Sequence, residues 1–193
     1  EPATILRGTV GSSAHGLSVA GYDDTDEMGV CIEPPDYVIG LQRFEQWVYR
    51  TKPEGAKSGP GDLDLTVYSL RKYARLAANG NPTVLVLLFT PTFHAVDPWG
   101  QRLRTEAEMF ASLRAGHRFR GYLRAQRERL LGTRGGMRAN RPDLVERFGY
   151  DVKYAMHMIR LGLQGMEYLQ NGHLTLPMPE PDRSVCRHVR AGE

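Results

Sequence analysis

Disulfide chemistry is all but missing from this chain. Its two cysteines, Cys31 and Cys186, lie far apart and without metal-site spacing. Two such residues make neither a disulfide framework nor a zinc centre, and a reducing cytoplasm is the expectation. Long apolar runs are missing as well. The longest, residues 84–89, falls far short of the roughly 20 residues that cross a bilayer, so no membrane partner is expected. No signal-peptide pattern opens the sequence, and no internal repeat or low-complexity tract interrupts it. What remains is ordinary for a globular protein: 193 residues, 41% hydrophobic and 24% charged. That is enough for one domain, or for a small catalytic domain with a helical appendage.

Net charge is also scarce, at +3, but its distribution is uneven. Between Arg102 and Arg141 stand eleven arginines against three acids, Glu106, Glu108 and Glu128, while the first 64 residues lean acidic. A block of that sign suits a triphosphate, RNA or DNA. The competing reading is a solvated helix face whose arginines pair with acids elsewhere.

The chemistry-bearing stretch is Gly11-Ser12-Ser13-Ala14-His15-Gly16, followed by Tyr22-Asp23-Asp24-Thr25-Asp26-Glu27-Met28-Gly29-Val30. Gly11 and Gly16 permit tight bends, and Ser12 and Ser13 offer hydroxyls and backbone N–H groups to a phosphate. Asp24 and Asp26 alternate across Thr25, so an extended backbone points both to one face. Carboxylates held that close repel unless a divalent cation lies between them. A phosphate cradle beside metal-binding acids is the equipment of phosphoryl or nucleotidyl transfer. Further on, Asp62, Asp64 and Thr66 share one face of a predicted strand, with Leu63, Leu65 and Val67 on the other. Lys153, His157 and Arg160 are spaced to share one face of the longest helical pattern, with Met156, Ile159 and Leu163 on another.

Gly-Ser, a spacer, then Asp-x-Asp closing on an apolar strand resembles the signature of the polymerase-β-like nucleotidyltransferase superfamily. More narrowly it resembles the bacterial and phage predicted nucleotidyltransferase group, including polymerase-β-like proteins associated with RNA repair. Asp64-Leu65-Thr66-Val67-Tyr68-Ser69-Leu70-Arg71-Lys72 with Asn81-Pro82, then Phe119-Arg120-Gly121-Tyr122, then residues 153–160, fit the same group. The resemblance spans residues 5–175. It implies an α+β fold with a small mixed sheet and a helical C-terminal half, divided as a catalytic core over 1–100 and a helical region over 101–193. It implies Asp24, Asp26 and a third acid as catalytic metal ligands. Position favours Asp64 for that third place, with Asp62 as competitor. Two Mg²⁺ or Mn²⁺ ions about 3.5–4 Å apart would grip the triphosphate and the acceptor oxygen. Gly11, Ser12 and Ser13 would hold phosphates, Lys153 the triphosphate, and His157 or Arg160 the nucleotide or acceptor. For the last three, the alternative is a basic helix face resting on acids such as Asp151.

The implied activity moves NMP from an NTP to a hydroxyl, on RNA, tRNA or another nucleic acid, releasing pyrophosphate. A protein hydroxyl, as in toxin–antitoxin relatives, stays open, as do a non-catalytic binding module and a metal-dependent phosphohydrolase. Asp23 replaces the usual Ser and adds charge near the triphosphate. His15 stands where relatives often have Tyr; it is expected to hydrogen-bond behind the metal ligands or stack on a base, with a metal-ligand role as the alternative. Arg118, Arg120 and Arg124 with Tyr122 offer acceptor contacts, although Phe119 and Tyr122 also fit a helix core.

Predicted elements are strands over 4–10, with a break at Gly8, over 27–32 and over 62–67, and a strand start at 48–50. A loop over 51–60 is either a connector or a gate. Ser69 is read as the cap of a helix to Ala78, which Gly80 ends. Buried helix follows at 83–89, a loop between Pro91 and Pro98 with a turn at 97–100, then helices at 106–115 and 119–131. Residues 132–136 read as a flexible break, Arg141-Pro142-Asp143 as a helix start, and 148–169 as the longest helix.

Overall fold

The computed structural model describes residues 2–19, 23–53, 59–133 and 141–193. Tyr22, the tip of the 51–60 loop with any gate it carries, most of the break at 132–136, and Arg134 and Arg138 of the basic block lie outside them.

The chain runs β1 (Thr4–Thr9), α1 (Gly11–His15), β2 (Thr25–Cys31), α2 (Pro35–Ile39), β3 (Gln46–Arg50), β4 (Leu63–Ser69) and α3 (Leu70–Ala78). Then come α4 (Pro82–Phe89), β5 (Phe93–Val96), α5 (Pro98–Thr105), a 3-10 turn (Ala107–Phe110) and α6 (Leu113–Leu130). The last three helices are α7 (Pro142–Phe148), α8 (Val152–Asn171) and α9 (Asp182–Ala191). This is an α+β fold around a five-stranded mixed sheet in the order β3-β4-β2-β1-β5.

Among the described residues the β2–β4 pair alone is parallel, and its register places Asp26 opposite Asp64. Side chains alternate with a period of two, so Asp26, Met28 and Val30 share a face with Asp64, Thr66 and Tyr68. That face carries the main core: Met28 and Val30 pack with Leu6, Tyr73, the α4 side chains, Phe119, Leu161 and Tyr168. The acids thus sit at one end of the face that the helices cover. Leu63, Leu65 and Val67 point the other way, into a smaller cluster with Cys31, Phe44 and Trp47.

Local chemistry fixes the helix ends. The Ser69 hydroxyl accepts from the Lys72 N–H, and Asn81 accepts from the Thr83 N–H with Pro82 in the first turn. α4 is apolar on all sides because it is buried on all sides, Val84 to Leu88 having at most 3% exposure. Asp151 caps α8 by accepting from the Lys153 and Tyr154 N–H groups. At Gly165, in mid-α8, a Cβ would come 2.9 Å from the Phe119 Cβ, so the glycine lets α6 and α8 approach closely.

Several expectations need correction. β5 occupies the stretch expected as loop between Pro91 and Pro98, and α5 begins where a turn was expected, with Asp97 accepting from the Gly100 N–H. The expected helix over 106–115 is split: the 3-10 turn ends at Phe110, Ala111 and Ser112 are extended, and α6 restarts at Leu113. Gly8 does not break β1 but sits where the pairing with β5 shifts register. Ile32 lies past the end of β2 and is 49% exposed, not core. α9 carried no expectation at all.

Candidate active site

β1 delivers the chain into a bend at Gly11, whose φ of +65° is rare for any residue with a Cβ. Space demands glycine there too, since a Cβ would lie 2.0 Å from Asp26 Oδ2. The bend is held in register because the Val10 N–H donates to the Asp26 carbonyl at 2.9 Å. α1 then starts at Gly11 as a single turn, and the first N–H groups of such a turn have no acceptor within the helix. Ser12 lines the cavity beside the acids, whereas Ser13 is exposed and does not.

Asp24, Asp26 and Asp64 converge, each offering an oxygen within 4.8 Å of the other two. At that separation two carboxylates repel by about 3 kcal/mol in the effective dielectric near a protein surface. Burial first, then Asp24 and Asp64, raise the Asp26 carboxyl from 3.8 to about 6, against a smaller opposing pull from Lys153. Among the described residues, Asp64 Oδ1 is buried without a hydrogen-bond partner, and Arg50 Nε stands off at 3.6 Å. Three hard oxygen donors, one orphaned and one discouraged from ionising, fit a divalent cation of the Mg²⁺ type.

Asp62, the competitor for the third place, is engaged elsewhere. It accepts from the Gly59 N–H at 2.9 Å and from Thr51 Oγ1 at 3.0 Å, and Lys52 Nζ lies 3.5 Å away. These bonds, Gly59 first, hold its carboxyl below the usual range. Asp23 likewise turns aside, accepting from the Val19 N–H at 2.7 Å and facing Arg190 at 3.9 Å. Its charge is therefore shared with α9.

α8 supplies the cations. A cavity of about 330 Å³ is lined by Gly11, Ser12, Asp24, Asp26, Lys153, His157 and Arg160, together with Pro82, Thr83, Tyr122 and Gln126. Lys153 does not rest on Asp151, which is taken by the helix cap and by Arg141 at 2.7 Å. Burial, with Arg190 and Arg141 nearby, lowers the Lys153 ammonium, partly countered by Asp23 and Asp24. His157 Nδ1 is buried without a partner among the described residues, and burial with Arg160 and Lys153 lowers its ring to about 3. It is a neutral hydrogen-bonding group near pH 7. Arg160 Nη1 donates to Gln164 Oε1 at 2.8 Å and lies 3.0 Å from His15 Nε2, while its Nε is buried without an acceptor among the described residues.

His15 is thus no surface residue of the turn. It is 4% exposed, with the Gln164 amide 3.1 Å from Nδ1. A guanidinium only donates, so Nε2 is the acceptor of a neutral ring. Burial, helped by Arg160 and His157, keeps that ring's pKa well below the ordinary value.

Sequence reasoning missed Gln126, Thr83 and Gln164. The signal for Thr83 stood in the open, immediately after Asn81-Pro82. Gln126 and Gln164 carry no local signature, being ordinary polar residues within long helices.

The profile described as the RNA repair pathway DNA polymerase beta family matches residues 2–187. No curated protein matches. Among solved structures, a nucleotidyltransferase-like protein from Exiguobacterium sibiricum 255-15 is similar at 13% identity and a TM-score of 0.39. The alignment covers 97% of this chain and 58% of that one.

Proposed function

Because the chain belongs to the RNA repair pathway DNA polymerase beta family, we propose that it is a nucleotidyltransferase, moving NMP from an NTP to a hydroxyl and releasing pyrophosphate. The observation that carries this reading is the meeting of Asp24, Asp26 and Asp64 beside the Gly11 bend. Mg²⁺ or Mn²⁺ held by the three aspartates would neutralise triphosphate charge and favour the acceptor alkoxide.

The chain's own residues do the rest. The free N–H groups at the start of α1 and the Ser12 hydroxyl hold phosphate oxygens. Lys153, close to Asp24 and Asp26 and unpaired among the described residues, meets the triphosphate charge. Arg160 lines the cavity with a buried Nε–H that has no acceptor among the described residues, and its position is fixed by His15 and Gln164. His157, neutral, is suited to a ribose hydroxyl or a base edge rather than to proton delivery. RNA is the acceptor we favour, in keeping with the family's description.

The test is incubation with each labelled NTP, Mg²⁺ or Mn²⁺, and RNA, DNA or protein. Label is expected in RNA, with pyrophosphate released. Asp24→Asn or Asp64→Asn is expected to slow the reaction about 10³-fold, which corresponds to about 4 kcal/mol of transition-state stabilisation. Unchanged turnover in those variants, or inorganic phosphate as the product, would sink the proposal.

A further inference from the structure

Two shallower depressions adjoin the aspartate cavity. The first, about 490 Å³, shares Tyr122 and Gln126 with that cavity and continues past Gly121, Ala125 and Arg129 to His117 and Arg118. The second, about 280 Å³, shares His117 and Arg118 with the first and ends at Arg114 and Asn79. Together they make a trough along one face of α6 whose near end shares Tyr122 and Gln126 with the site. Gly121 leaves its floor low, since a Cβ there would meet nothing within 4 Å.

The trough's charge is unspent. Arginines at positions 7, 50, 71, 75, 102, 141, 183 and 190 pair with carboxylates, but among the described residues none of the α6 arginines does. Arg114 only meets the Asn79 amide oxygen at 3.3 Å, and Arg129 stacks toward the Tyr154 ring. Arg129 Nε and Gln126 Oε1 are buried without partners among the described residues. Helical rise separates Arg114 from Arg129 by about 22 Å, so the cations form a row and not a point. A row of cations suits a chain that carries one charge per unit; Tyr122, half-buried against the core, lines both hollows, and His117 is exposed, so a base has an aromatic edge or ring to meet there.

We propose that this trough seats the single-stranded RNA acceptor and leads its terminal hydroxyl to the aspartates. The assignment rests on the transferase reading above. Phosphates lie against Arg114, Arg118 and Arg129, and the last base lies near Tyr122 at the mouth of the cavity. Arg120 and Arg127, exposed on the opposite flank of α6, take no part.

The experiment compares Arg114→Gln/Arg118→Gln with Arg120→Gln/Arg127→Gln, two exposed pairs of equal charge. Affinity for a fluorescein-labelled single-stranded RNA oligonucleotide is read by anisotropy over a salt series, without NTP. The trough pair is expected to bind far more weakly and to lose about 1.4 from the log–log salt slope, about 0.7 per phosphate contact. The opposite pair is expected to match wild type. Equal losses in both pairs, or none in either, would overturn the trough, as would tighter binding of the matching DNA strand or of polyglutamate. Pyrophosphate release in Asp24→Asn is measured alongside, so failure of the trough and failure of the chemistry are told apart.

Discussion

At the scale of single residues, Gly11 and Asp26 are bound to each other's identity. The Gly11→Ala variant must relieve a positive φ and move the Asp26 carboxylate, since both contacts forbid a methyl group there. Strain of that kind costs about 1–3 kcal/mol, and nucleotidyl transfer is expected to fall even where the variant still folds. A thermal melt and a pyrophosphate assay check the two parts separately. Asp26 also sets a pH signature. Its carboxyl is raised from 3.8 to about 6 in the folded protein, so between those values the native state holds a proton that the unfolded chain releases. The associated stability is present below 3.8 and is lost as pH rises through about 6. In metal-free melts, wild type should therefore lose stability over this window relative to Asp26→Asn. Mg²⁺ should raise the wild-type midpoint more at pH 7 than at pH 5. The acids and the glycine were legible in the sequence because their types and spacing carry the chemistry. The burial of His15 was not, because the residues that enclose it, Arg160 and Gln164, lie some 145 positions away.

At the scale of elements, capping residues made the best predictions. Ser69 and Gly80 placed the ends of α3 because each acts through a backbone group three positions away, whereas the Asn81-Pro82 start of α4 was not read as a cap. β5 escaped because a four-residue edge strand between prolines has too few positions to show alternation. α9 escaped because its buried face against α8 rests on little more than Cys186 and Val189. α8 offers a direct test. Asp151 is 3% exposed, caps two N–H groups and pairs with Arg141. Asp151→Ala should cost about 3 kcal/mol, a lost cap of about 1 together with an uncompensated Arg141. Urea denaturation checks it, with a fall in midpoint at unchanged slope as the expected result.

At the scale of the whole molecule, the first and last parts of the chain meet. The His15 carbonyl accepts from the Met178 N–H at 3.1 Å, and Arg187 donates twice to the Gly16 carbonyl. Met178 is 2% exposed and packs with Leu17, Met156 and Cys186. Met178→Ala should destabilise the protein by about 2–5 kcal/mol, read by calorimetry, although the residue touches none of the aspartates. No local pattern announced this clasp, since it joins the end of α1 to a loop residue and a helix residue far along the chain, Gly16 and Arg187 being 171 positions apart. Its consequence reaches into biosynthesis: Gly16 and Arg187 stand 171 positions apart, so the turn that closes α1 is made long before the residues that brace it, and a growing chain carries it unbraced until they follow.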